Sequence, residues 1–116
     1  RGTVRTFDKE VRALAEERVL HLAIECVTDL GNLLIDGFMM RDPSSYEDIV
    51  EILNTEDVTD RATAEGLIGL VRCRKALLQE YVDWDRETKH PMTAKLPELL
   101  AGFAEQTERY VKANQL

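Results

Sequence analysis

The sequence predicts an all-α protein, an antiparallel bundle of four or five helices, and three observations carry that expectation. Apolar residues recur at steps of three and four through most of the chain. No segment alternates apolar and polar residues, and no Asn-Gly turn joins two such runs, so no sheet is expected. Aromatic residues make up only 6% of the sequence, which leaves the core to Leu, Val, Ile and Ala and favours helices over a sandwich.

The first helix is expected from Phe7 to about Ile35. Phe7, Val11, Leu14, Val19, Leu22, Ala23, Cys26, Leu30, Leu33 and Leu34 keep the helical spacing, and only Gly31 interrupts it, at a cost of about 1 kcal/mol. Such a run spans roughly 45 Å, the length of a bundle helix. Gly37 is expected to end it, with Met39 and Met40 plugging the bundle end. Ser44 stands three residues before Glu47, the spacing of a capping box, and Tyr46, Ile49, Val50, Ile52 and Leu53 give a short second helix.

A third helix should start near Thr59 or Asp60 and run to about Tyr81, with Ala64, Leu67, Ile68, Val71, Leu77, Leu78 and Tyr81 on its apolar stripe. Asp83 to Pro91 is polar and reads as a connection, with a partly helical course as the alternative. A last helix is expected from about Thr93 to Asn114, with Leu96, Leu99, Leu100, Phe103, Thr107, Tyr110 and Val111 on one face. Pro97 suits its first turn and would kink a helix that began earlier. These stripes are broad for so few helices, which is consistent with a leading helix before Arg1 or with a dimer seam.

The chain has 116 residues, enough for a single domain over 1–116. No run of about 18 apolar residues marks a membrane span, and a cytoplasmic location is expected. Cys26 and Cys73 lie inside apolar patterns and are expected as buried reduced thiols. His21 and His90 stand apart, without zinc-ligand spacing, so no metal or organic cofactor is expected. The net charge of −7 argues against a sequence-independent nucleic-acid binder, which normally shows a basic face. The only dense basic patch is Arg72, Arg74 and Lys75.

Arg74 is the oddest residue in the chain. It falls on the apolar stripe, three residues after Val71 and four before Leu78, and a cation buried there alone is too costly. Its partner is therefore either a carboxylate across a dimer interface, with Glu80, Glu25 and Asp29 as candidates, or a phosphate or nucleotide. Glu17, His21 and Glu25 form a small polar strip on the first helix, four residues apart. A structural role is the simpler reading for that histidine, for Tyr81 as a core aromatic, and for Arg72 and Lys75 as solvated surface.

The segment Leu70-Val71-Arg72-Cys73-Arg74-Lys75-Ala76-Leu77-Leu78-Gln79-Glu80-Tyr81 resembles the signature region of HepT-like HEPN proteins. That family's motif is Arg, four residues, His, one residue, Tyr. Arg74 and Tyr81 match it, and Gln79 stands in the histidine position. Glu17-Arg18 with Ala23-Ile24-Glu25 resembles the family's second helix, and Leu96-Pro97-Glu98-Leu99 the start of its last helix's packed face. Asp29-Leu30-Gly31-Asn32 and the stretch from Asp36 to Asp48 resemble the YutE-like branch of cytosolic family members.

The resemblance implies a HEPN-type bundle that forms a two-fold homodimer. In active members the arginine and histidine of both subunits line a cleft that cuts RNA without a metal. It also implies a frequent partner, an MntA-type minimal nucleotidyltransferase antitoxin, for which Tyr81 is the candidate AMP acceptor. Histidine suits proton transfer near neutral pH, and arginine grips phosphate oxygens with a permanent charge. Gln79 does not titrate. The expected function is thus a protein of toxin–antitoxin ancestry with a degenerate ribonuclease site that retains an Arg74-based anion site. A working ribonuclease with another proton source, such as His21, and a non-enzymatic structural or protein-binding dimer are the alternatives.

Overall fold

The computed structural model describes the backbone over residues 2–79 and 86–114, and side chains over 8–75 and 93–114. Four helices follow in order: α1 Gly2–Gly37, α2 Tyr46–Thr55, α3 Arg61–Gln79 and α4 Arg86–Asn114. Among the described residues there is no strand, as the periodicity required.

α1 has 36 residues, about 54 Å of helix, and sets the 61 Å long axis of the molecule. One side of it, Leu20, Ala23, Ile24, Val27, Leu34 and Ile35, enters the core. Ile49, Val50, Ile52 and Leu53 of α2, Leu67, Leu70 and Val71 of α3, and Leu96 and Phe103 of α4 meet it there. Each fully buried aliphatic side chain contributes roughly 1.5–3 kcal/mol. α3 and α4 run antiparallel: Gly66 faces Leu99, and Thr63 at the start of α3 faces Gly102 and Gln106 further along α4.

Gly31 has a packing role beyond being tolerated. A Cβ there would lie 2.5 Å from Cγ2 of Ile49, so the missing side chain is what lets α2 sit against α1.

α1 ends at Gly37, α3 starts behind an Asp60 cap and α4 runs to Asn114, as expected; other ends depart from the sequence reading. α1 ends in a Schellman turn whose left-handed residue is Met39, at φ 57°, not Gly37. The Met40 amide donates to the Ile35 carbonyl at 2.8 Å and the Met39 amide to Asp36 at 3.4 Å. Met40 packs on the core, while Met39 is 91% exposed and plugs nothing. The end of α2 repeats the device, with Asp57 at φ 62° and the Val58 amide donating to the Leu53 carbonyl at 2.9 Å.

The cap of α2 is Ser45, one residue later than expected: its hydroxyl accepts the Asp48 amide at 3.0 Å. Asp48 closes the box from the other side by accepting the Ser44 amide at 2.9 Å, so Ser44 and Glu47 are not the pair.

α4 begins at Arg86, earlier than predicted, because the polar stretch before Thr93 continues the helix. Pro97 therefore lies in the helix interior, where its ring nitrogen has no hydrogen to give the preceding turn. Of the two cysteines, Cys26 is exposed and Cys73 half-buried, both as free thiols. The Cys73 thiol donates to the Gly69 carbonyl at 3.5 Å, and burial pushes its pKa up. Cys26 is exposed because α1 is apolar on two sides, and periodicity alone does not say which side is inside.

Candidate functional site

The basic segment of α3 meets the first turn of α2, and a cleft of about 580 Å³ opens between them, lined by Ser45, Tyr46, Glu47, Val71, Arg72, Arg74 and Lys75. Two of its three cations are held by α2. Arg72 pairs with Glu47 at 3.4 Å. The Arg74 guanidinium lies over the Tyr46 ring, 4.1 Å from its centroid, within cation–π range. Lys75 is exposed.

Arg74 is half-buried, as its place on the apolar stripe demands. Within one chain neither Glu25 nor Asp29 pairs with it, and among the described residues it makes no ion pair. An aromatic face, rather than a carboxylate, shields the charge. Sequence reasoning missed Tyr46 as a member of this site, since it had been assigned to the apolar pattern of α2. The signal available was its position next to the α2 cap, but pairing α2 with this part of α3 required the fold.

The first turn of α2 is itself held firmly. Arg41 donates two bonds of 2.7 Å to the Asp48 carboxylate, a bidentate arrangement. The Arg41 contact, the Ser44 amide and the Ser44 hydroxyl hold the Asp48 carboxyl far below the usual carboxylate range. The same contact raises the Arg41 guanidinium. At the start of α3, Asp60 accepts the Thr63 amide at 2.7 Å, which lowers its pKa. Gln106 of α4 bonds Asp60 and Thr63 together.

The other sequence candidates fall in different places. Gln79 closes α3, five residues after Arg74, which puts the two positions about 140° apart around an α-helix. The Gln79 side chain and Tyr81 lie outside the described residues, as does Glu80. His21, on α1, is half-buried and is not part of the cleft lining. Among the described residues no group of three His, Cys, Asp or Glu side chains is arranged to hold a metal. No described helix is long and apolar enough to cross a membrane.

The sequence profile of the ribonuclease HepT-like family matches residues 1–102. The chain belongs to that family. It is 46% identical over 76 residues to the Bacillus subtilis protein named "Putative RNase YutE", an alignment covering 66% of this chain and 53% of YutE. The chain thus spans about half the length of that relative. A solved structure of Bacillus subtilis YutE, described as a cytosolic protein of unknown function, superposes with a TM-score of 0.82 at 38% identity, over 90% of this chain and 73% of that one. Family and helical fold therefore agree with the residues from which both were read.

Proposed function

We propose that this HepT-like chain binds RNA phosphate at the Arg74 cleft, and that the histidine-to-glutamine change at position 79 leaves it with at most slow ribonuclease activity. One observation carries the reading. A half-buried guanidinium lines the cleft and, among the described residues, no carboxylate pairs with it, the cleft's Glu47 being held by Arg72, which is the state in which an arginine is ready for an anion. Loss of a general acid or base typically costs 10²- to 10⁴-fold in rate, and an amide at position 79 does not replace it. His21 lies off the cleft, so a working ribonuclease needs its proton donor from elsewhere, such as another subunit. The name given to YutE keeps that second reading in play.

A homodimer fits the geometry of α1. Val11, Leu22 and Leu33 are exposed and recur eleven residues apart on the side away from the core, close to three full turns. Antiparallel pairing about Leu22 sets Val11 against Leu33 of a second copy and Arg18 beside Glu25, so the face is self-complementary. A toxin–antitoxin ancestry and a nucleotidyltransferase partner acting at Tyr81 belong to the same proposal as what the resemblance of the Arg74–Tyr81 motif implies, and a cytoplasmic location is supported by the description of YutE. The competing structural-dimer reading gives the cleft no ligand.

The anion site is tested by the salt dependence of binding to a short single-stranded RNA. Removing one phosphate contact lowers the slope of log affinity against log salt by about 0.7 for a single strand. Arg74→Ala is expected to weaken binding across all sequences and to reduce the slope by that amount. An unchanged slope and affinity would assign the cation to the fold alone.

A further inference from the structure

We propose that Tyr46 is the positioning residue of the Arg74 anion site, an inference that rests on the proposed binding of RNA phosphate there. The ring covers one face of the guanidinium at 4.1 Å. That face has no hydrogen-bond donors. The N–H groups lie at the rim of the guanidinium plane, so stacking restrains the side chain without consuming any donor, whereas a carboxylate partner would occupy them.

Three features make the contact more than a chance approach of two long side chains. Tyr46 is the first residue of α2, and its backbone is fixed by the Ser45–Asp48 box and by the Arg41 fork on Asp48. Glu47, the next residue, holds the neighbouring cation Arg72 at 3.4 Å. The first turn of α2 therefore neutralises Arg72 and leaves Arg74 charged, oriented and open. Tyr46 is also 41% exposed and lines the cleft, so its ring contributes little to the core and its place is better explained by Arg74 than by packing.

The physical role is pre-organisation. A free arginine samples many rotamers, and a ligand that fixes one must offset the lost entropy. A stacked guanidinium has lost part of it before the phosphate arrives.

The test uses the whole chain, a fluorescein-labelled ten-nucleotide single-stranded RNA of mixed sequence, and three variants: Arg74→Ala, Tyr46→Phe and Tyr46→Leu. Anisotropy gives the affinities, and the Arg74 Nε–H resonance reports the stack through the ring current. Thermal melts identify any variant that loses the fold. Arg74→Ala should weaken binding about tenfold or more. Tyr46→Leu should weaken it roughly three- to tenfold and move the Arg74 resonance, while Tyr46→Phe restores both the affinity and the resonance position.

If Arg74→Ala weakens binding but Tyr46→Leu does not, the positioning role is overturned and the anion site stands. If Tyr46→Leu acts with an unmoved Arg74 resonance, or Tyr46→Phe fails to restore affinity, the effect does not run through the stack and the proposal also falls. If the natural chain does not bind the RNA, or Arg74→Ala binds as well as it does, the anion-site reading fails and takes the positioning role with it.

Discussion

At the scale of single residues, the sequence exposes what it cannot explain. Arg74 stood out as a cation on an apolar stripe, and its need for a partner was legible from spacing alone. The identity of that partner was not, because Tyr46 is distant in sequence and its ring contact depends on how α2 meets α3. Met39 shows the same limit. Its left-handed φ of 57° is a position where glycine normally serves, and nothing in the residue type marks it. Met39→Gly is expected to raise stability by about 0.5–1 kcal/mol, because its side chain is exposed and the backbone strain is relieved. Urea unfolding at neutral pH measures it, and a loss of stability would show that the turn depends on the methionine.

At the scale of elements, the centres of all four helices were readable from periodicity, and so were the ends at Gly37, Asp60 and Asn114, whereas the α2 cap and the start of α4 were not. Caps are set by single hydrogen bonds, and two adjacent serines offer two registers, of which packing selects Ser45. The start of α4 was missed for a related reason: a polar run with no apolar stripe of its own still continues a helix.

The α2 cap carries a pH signature. Asp48 has a folded-state pKa below its unfolded value, so its contribution is present above the ordinary aspartate range, near pH 4. It fades as pH falls through that range toward the folded pKa. Asp48→Asn should lower the melting temperature at pH 7, with the gap to the natural chain narrowing by pH 3. A gap that stays constant with pH would mean that the carboxylate charge is not what holds the turn.

At the scale of the whole molecule, the fold class and family were legible because they rest on patterns spread over the chain, whereas the inside of α1 was ambiguous. A helix apolar on both sides places Leu22 and Leu33 in solvent, the latter at 70% exposure. One face serves the four-helix core, and the other is exposed in the single chain and is the seam of the proposed dimer. Leu33→Glu should leave the thermal melt of the isolated subunit nearly intact and shift sedimentation from dimer to monomer. A natural chain that sediments as a monomer at high concentration would remove the second copy from the account. Gln79 and Arg74, about 140° apart on one helix, also fit a cleft that two copies complete together more readily than one.

On the proposed function, a single missing proton-transfer group, in an otherwise serviceable phosphate site, keeps this HepT-like chain from cutting RNA efficiently. That claim is tested most directly by single-turnover RNA cleavage with the natural chain, Gln79→His, and the double variant Arg74→Ala/Gln79→His. The account predicts slow or undetectable cleavage by the natural chain, a gain of about 10²-fold or more in Gln79→His, and loss of that gain in the double variant. Efficient cleavage by the natural chain, or a Gln79→His protein that binds RNA and still does not cut it, would contradict the claim.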